Sequence, residues 1–560
     1  MIELLFWGGM LRFVQALVQA SPTIVVGLLV AGVFRRLLGH KGTRRLFGGQ
    51  TWRALPQAWL LGMLLPVCSL GVIPVVREMR RAGVPGGAIL AFGLTAPLFN
   101  PISVLYGLTL ANPVVIVTFS FCSLVIVTVV GWGWDRLFPG TVITEEPPKR
   151  VAYGIKRLIA IGVAGARECA GPAALYVLAG LLGVALLSVA LPHGSLQTAA
   201  EHDDPWAPLF MTAVAIPAYA TPMTAMVQLA SMFQHGNSVG AAFALLALGA
   251  GANLGLVAWM VRSYGWYRSV VWFALLLAVV LGLAYGLDKP LYPHGVEPAG
   301  HTHAFDVYCC PFAEGTANPA ALTWQLLKEK TAAHEIVGLA GLAVFLVGGL
   351  VLRWFDAQGR FETWLERQPD EMGRYDIVLP EAVLAGAALV CLVAASIFGC
   401  YVYYPPPAEI LAEMSMIHAE MLVAANTQDW DTALYWIPIF DDWTRKLQVS
   451  LFLRGGELSE YRRMKASILR DKLELLEHEV EDREVGEARR AAIGVSKAYR
   501  RMRDAYLDPT NEKPTQSASP DTDTQSPGTT RPANRAVKLP SPSRGVSSVT
   551  VVSSVPSRSA

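Results

Sequence analysis

Apolar runs separated by short basic or polar loops fill the chain as far as Tyr404. A helix that crosses a bilayer needs about 20 mostly apolar residues. Runs of that kind lie near Phe13–Leu38, Pro85–Leu110, Val114–Trp134, Gly171–Leu191, Val239–Val261, Val270–Leu287, Glu335–Leu352 and Glu381–Tyr403. Two more, Trp52–Met79 and Pro208–Gln234, are as apolar but punctured, the first by Pro66, Gly71 and Pro74, the second by Pro217 and Pro222. A proline removes a backbone donor and clashes with the preceding turn. In lipid, the freed carbonyl must find a partner or line a wet cavity. Both punctured runs are therefore expected to be re-entrant hairpins or pairs of half-helices, the segments in which transporters place substrate sites.

The two punctured regions belong to an internal repeat. An offset of 153 residues carries Gly83 onto Gly236, Gly87 onto Gly240, Ala88 onto Ala241, Ala91 onto Ala244 and Asn100 onto Asn253. With a gap of about two residues, Pro66-Val-Cys-Ser69 falls on Pro217-Ala-Tyr-Ala-Thr-Pro222. Basic residues cluster after Arg35, after Arg136, at Arg262 and Arg268, and after Arg353. Placing these clusters in the cytoplasm by the positive-inside rule puts the N-terminus outside. The hairpin at Cys68 then enters from the cytoplasm and the one at Tyr219 from the opposite side. Charge and repeat thus agree on two oppositely oriented halves, about 13–134 and 171–287.

Composition changes the picture at the other end of the chain. Charged residues make up 16% of the whole, well below soluble domains, and mean hydropathy is +0.39, as a membrane protein requires. From Pro405 the sequence turns charged and helix-forming, with apolar periodicity at Leu411, Met414, His418, Met421 and Leu422. Three or four helices, interrupted near Asn426, Gly455-Gly456 and Gly486, are expected to form a small soluble bundle over 405–508. Residues 509–560, rich in Ser, Thr and Pro, are expected to be disordered. The net charge of +2 gives no sign of a nucleic-acid partner, and no G-x-x-x-x-G-K-[ST] motif is present for ATP hydrolysis.

The motifs Pro66-Val-Cys-Ser-Leu-Gly-Val-Ile-Pro74, Gly83-Val-Pro85 and Ala96-Pro-Leu-Phe-Asn-Pro101 resemble the signature of the ArsP-type predicted permeases. Ile216-Pro217-Ala-Tyr219 and Gly249-Ala-Gly-Ala-Asn253 are similar to that family's second motif, and the likeness covers roughly 15–290. It implies an exporter of trivalent organoarsenicals such as methylarsenite. The family often has Cys-x-Cys in the first motif, where Cys68-Ser69-Leu70 stands here, and a cysteine after the second tyrosine, where Ala220 and Thr221 stand.

Candidate chemistry gathers at the punctures. Cys68 offers a soft ligand to a thiophilic substrate, or serves as a small buried apolar residue. Pro66, Pro101 and Pro217 would expose backbone, and Ser69, Tyr219 and Thr221 offer hydroxyls. Asn100 and Asn253 must be paired inside apolar surroundings, either tying down the broken segments or touching substrate. Glu78 and Glu168, near cytoplasmic ends beside Arg77 and Arg167, are the carboxylates to test for proton coupling, with juxtamembrane anchoring as the plainer role. In the polar loop 288–333, His301, His303, Asp306, Cys309 and Cys310 could hold a borderline metal, or form an ordinary exoplasmic loop.

The expected protein is an all-α polytopic membrane protein: an inverted repeat (1–290) with two broken hairpins, an exoplasmic loop (288–333), two further spans (334–404), the bundle and the tail. It is expected to be a secondary-active permease of the cytoplasmic membrane, not an enzyme, with no cofactor. Its partners would be a small-molecule or metalloid substrate, membrane lipid and an exoplasmic protein bound by the bundle. The alternative is a membrane-anchored sensor or scaffold with a decayed permease core.

Overall fold

The computed structural model describes residues 2–49, 53–110, 112–140, 155–192, 194–196, 200–293, 303–312, 316, 318–329, 331–367, 380–455 and 457–507, and all regular structure among them is helical. Residues 509–560, expected to be disordered, lie outside the described residues. The first half contains α1 (Ile2–Val33), a π-helical turn (Phe34–Leu38), α2 (Gly39–Leu46), α3 (Ala54–Leu64), α4 (Val72–Arg81), α5 (Gly86–Thr95), α6 (Pro101–Leu110) and α7 (Pro113–Leu137). The second contains α8 (Ile155–Cys169), α9 (Pro172–Ala190), α10 (Ala207–Ala215), α11 (Pro222–Gln234), α12 (Val239–Leu245) with a π-helical turn (Leu246–Ala250), α13 (Leu254–Tyr264) and α14 (Trp266–Asp288). Each half therefore reads span, broken hairpin, broken span, span. Six stretches are long and apolar enough to cross a bilayer: Ile2–Leu46, Pro113–Leu137, Pro172–Ala190, Trp266–Asp288, Ala333–Phe355 and Gly386–Tyr403. A seventh arises if Val239–Ala250 and Leu254–Tyr264, bent by 56°, count as one.

Two spans expected to be straight are broken. Pro85–Leu110 divides at Ala96–Asn100, where Pro97 and Pro101 deny the helix its backbone donors. Val239–Val261 divides at Gly251–Asn253. The first helix begins at Ile2 rather than near Phe13, and α8 occupies part of what reads as linker and loop.

Contacts fix the relative direction of the halves. The Arg35 guanidinium lies 3.6 Å from Glu78, so α4 ends beside the C-terminal end of α1. Gln57 Nε2 donates to the Leu46 carbonyl, so α3 starts at that same end and the α3–α4 hairpin is re-entrant. Arg77 pairs with Glu168 and lies over the Tyr176 ring, so α9 begins where α1 ends. At the far end Gly9 abuts Val189. The equivalent spans α1 and α9 therefore run antiparallel. Likewise Trp134, near the end of α7, packs edge-on against Tyr264, just before α14, with centroids 5.0 Å apart. The repeat is inverted.

The offset of 153 survives at the level of single hydrogen bonds. Gly83 and Gly236 both turn the chain with positive φ, +75° and +63°, a conformation that favours glycine. The Gly87 N–H donates to Asp135 at 2.8 Å, and the Gly240 N–H donates to Asp288 at 2.8 Å. Each carboxylate thus caps the start of a neighbouring helix, at its positive end. A Cβ at Gly87 would sit 2.4 Å from the Gly131 carbonyl oxygen, and one at Gly240 2.6 Å from that of Ala284.

After the repeat come a 3-10 turn (His303–Tyr308), α15 (Pro319–Glu329), α16 (Ala333–Phe355), α17 (Arg360–Glu366) and α18 (Glu381–Tyr403). Helix α16 packs on α1 and α8, while α18 packs on α2, α3 and α6. Four helices follow, α19 (Pro407–Thr427), α20 (Trp430–Gly455), α21 (Glu460–Glu481) and α22 (Val485–Leu507), around a core that includes Met414, Phe440, Leu473 and Met502. This bundle docks on the repeat. Arg445 donates to the Tyr106 hydroxyl of α6 at 3.4 Å, and His235, capping α11, lies 2.8 Å from Glu474. Arg445 and Arg470 both hold Asp441, at 2.6 and 2.9 Å. Burial pushes that carboxyl up, but the two guanidiniums outweigh it and leave its pKa below the usual carboxylate range.

Removing either helix-capping carboxylate, by Asp135→Ala or Asp288→Ala, is expected to cost about 1 kcal/mol. The two costs should add, since the caps share no partner. Gly240→Val should cost more, because its side chain meets backbone. Thermal unfolding of the purified full-length protein checks this, and an unchanged Tm for Gly240→Val would contradict the close helix contact.

Candidate functional site: the meeting of four helix breaks

Four breaks, at Leu65–Gly71, Ala96–Asn100, Ile216–Thr221 and Gly251–Asn253, converge near the middle of the repeat. Helix α9 is the plank between them. A Cβ at Gly180 would lie 2.5 Å from a Leu70 methyl and 3.0 Å from Asn253 Oδ1, and one at Gly183 would lie 2.6 Å from the Pro217 carbonyl oxygen. Gly251 in turn abuts Leu98. The Ala220 N–H donates to the Gly249 carbonyl at 3.2 Å, tying the second hairpin to the second broken span.

The two hairpin motifs touch. Cys68 and Tyr219 share one buried cluster with Ile24, Leu28, Leu70, Leu181 and Val184. Cys68 also has a local role, since its Sγ accepts the Gly71 N–H at 3.3 Å where α4 begins. Ser69 beside it is fully buried.

Asn100 and Asn253 act identically, 153 residues apart. Each caps the half-helix that follows: Asn100 Oδ1 accepts the Ser103 N–H at 2.8 Å, and Asn253 Oδ1 accepts the Leu256 N–H at 2.9 Å. Thr221 does the same for α11 through the Thr224 N–H at 3.1 Å. Pro66 and Pro217 lie within the hairpin breaks, and Pro101 opens α6. With the backbone capped, three donors remain. Ser69 Oγ, Tyr219 OH and Asn253 Nδ2 are buried with no hydrogen-bond partner among the described residues. Unpaired buried polar groups are costly and rare, and their clustering marks a place for a polar ligand or water.

Glu78 and Glu168 do not reach this centre. Both are buried at the end where α1 and α4 finish, inside a network of arginines. Arg81 holds Glu78 and reaches Glu168 at 3.3 Å, Arg35 approaches Glu78, and Arg77 holds Glu168. The network fastens the first hairpin to α8 of the second half. Arg167, beside Glu168, instead binds Asp356 and Glu362.

His301 lies outside the described residues, and of His303 only the backbone is described. Cys309 and Cys310 are buried: the first faces Ser195 at 3.7 Å, and the second fills the space beside Gly8. Among the described residues no three His, Cys, Asp or Glu side chains come together as a metal site. Sequence reasoning missed Asp135 and Asp288, which extending the offset would have found. It also missed Arg12, Gln15 and Gln19, which line a cavity of about 180 Å³ beside Tyr219. Arg12 fell one residue before the expected first span.

An inverted repeat of apolar helices, with broken segments from each half meeting at its centre, defines a polytopic membrane protein. Residues 9–287 match the family model ArsP_1, described as a predicted permease, and over that stretch the chain belongs to this family. It is 34% identical over 90 residues to UPF0718 protein YcgR of Bacillus subtilis, covering 16% of this chain and 31% of the relative. It is 24% identical over 90 residues to a putative two-component membrane permease complex subunit of Streptococcus mutans, covering 16% and 30%. The chain thus spans about a third of the length of these relatives. No solved structure matches.

Replacing Glu168 by Gln strands Arg77 in a buried position, and breaking such a pair costs about 3 kcal/mol. The double variant Arg77→Leu/Glu168→Leu should recover much of that loss, as measured by thermal unfolding. Equal stability of Glu168→Gln and the wild type would mean the network does not hold the halves together.

Proposed function

We propose that the chain is a secondary-active permease of the cytoplasmic membrane that exports a small thiophilic or organometalloid species. The observation that carries this reading is the contact between Cys68 of one hairpin and Tyr219 of the other, amid the unpartnered Ser69, Tyr219 and Asn253 donors. A soft thiol beside hydroxyl and amide donors suits a ligand with one thiophilic atom and oxygen substituents. The proximity of the organoarsenical-type motifs to this point supports the same class.

In this reading the two halves rock about the central breaks. The arginine–carboxylate network seals the cytoplasmic end, because Arg77 and Arg81 on the first hairpin hold Glu168 on the second half. Opening toward the cytoplasm requires that network to part. Protonation of Glu78 or Glu168 would weaken it by removing the charge that the arginines hold, which gives the carboxylates a role in coupling without contact with substrate. The bundle lies on the exoplasmic side and grips α6 and α11, the half-helices that leave the centre in that direction.

Whole-cell accumulation of a panel of metal and metalloid species in an efflux-deficient host tests the reading. Cells carrying the protein should accumulate less of at least one trivalent organometalloid. Cys68→Ser should abolish most of that difference, and Asn253→Ala should reduce it severalfold. If both variants protect as well as the wild type, the central breaks are not the substrate site.

A further inference from the structure

A second polar feature borders the second hairpin break. Between Leu4 and Ala20 helix α1 is apolar except for Arg12, Gln15 and Gln19, whose spacing of three and four residues places them on one face. Charged and amide groups at that depth are costly and mark functional surfaces. The face borders a cavity of about 180 Å³, with Tyr219 and Thr224 of the second hairpin on its wall and Leu326 and Leu327 of α15 opposite. A single water needs about 15 Å³ measured this way, so the space admits a small solute.

The hydrogen bonds around this cavity set its chemistry. The hydrogen bonds of Arg12 go to neutral acceptors, its Nε to the Cys309 carbonyl at 3.2 Å, its Nη2 to the Asp306 carbonyl and its Nη1 to Gln15 Oε1 at 3.2 Å, while the Asp306 carboxylate lies near enough to act on its charge. A guanidinium only donates, so Gln15 Oε1 is committed to it and the amide's remaining capacity is that of a donor. Tyr219, 5% exposed, brings a hydroxyl with no partner among the described residues. Among the lining residues Glu335 is the single carboxylate, and its Oε2 accepts the Ala332 N–H at 2.9 Å. The cavity is therefore rich in donors, with the guanidinium on its wall and its one lining carboxylate turned toward a helix end.

We propose that this cavity, formed by the Arg12–Gln15–Gln19 face of α1 and the Tyr219 hydroxyl, is a binding site for a small oxyanion of the carboxylate or phosphate class. Ala16, Tyr219 and Ala220 are on its wall and Cys68 is not, so it borders the second hairpin break without including the thiol. The segment 303–312 roofs it, because the carbonyls of Asp306 and Cys309 are the groups that fix Arg12. The inference concerns binding alone and does not depend on what, if anything, crosses the membrane.

Isothermal titration of the purified full-length protein with acetate, and separately with inorganic phosphate, tests it, with chloride at equal ionic strength as control. At least one of the two should bind saturably. Arg12→Gln should raise the Kd at least tenfold, and Tyr219→Phe and Gln19→Leu severalfold each. If Arg12→Gln does not fold for want of its roof contacts, the other two variants decide the matter, since neither residue holds the roof. No saturable binding of either ion, or binding unmoved by Tyr219→Phe and Gln19→Leu, overturns the proposal.

Discussion

Backbone polar groups freed by helix breaks have no water to turn to inside a bilayer, and this constraint organises the molecule. Each break is closed by a local acceptor. Asn100, Thr221 and Asn253 cap the half-helices that follow them, and Cys68 Sγ takes the first free N–H before α4. What the caps leave over is a small set of side-chain donors facing the junction. The breaks are thus tolerated because they are capped.

The inverted repeat explains why the junction forms at all. Two copies of one broken unit, inserted in opposite senses, bring their hairpins to the same depth from opposite sides. Each copy fastens its broken span to its last span by the same carboxylate-to-glycine bond, Asp135 to Gly87 and Asp288 to Gly240. Departures from symmetry are equally informative. The arginine–carboxylate network binds the first hairpin to α8, whereas the second hairpin is bound through His235 to the bundle. The two hairpins are thus fastened by different chemistry.

Much of this was legible in the sequence. The offset of 153 and the punctured runs gave both hairpins, and the paired Gly83/Gly236 and Asn100/Asn253 kept matching roles in the structure. The breaks in Pro85–Leu110 and Val239–Val261 were not foreseen as breaks, because an apolar run has the same composition whether straight or bent. Arg12 was lost at the edge of a run, where a charge reads as an interfacial anchor. Adjacency in sequence does not give shared surroundings at Cys309 and Cys310, which face different neighbours. The network around Glu78 and Glu168 joins segments some ninety residues apart, which no local pattern records.

The account stands or falls on the two hairpins entering from opposite sides. Single cysteines introduced as Arg53→Cys, before the first hairpin, and Asp203→Cys, before the second, test this in a background with the seven native cysteines replaced. A membrane-impermeant maleimide should label Asp203→Cys in intact spheroplasts and Arg53→Cys only in inside-out vesicles. Labelling of both positions from the same side would contradict the inverted arrangement and dissolve the site built upon it.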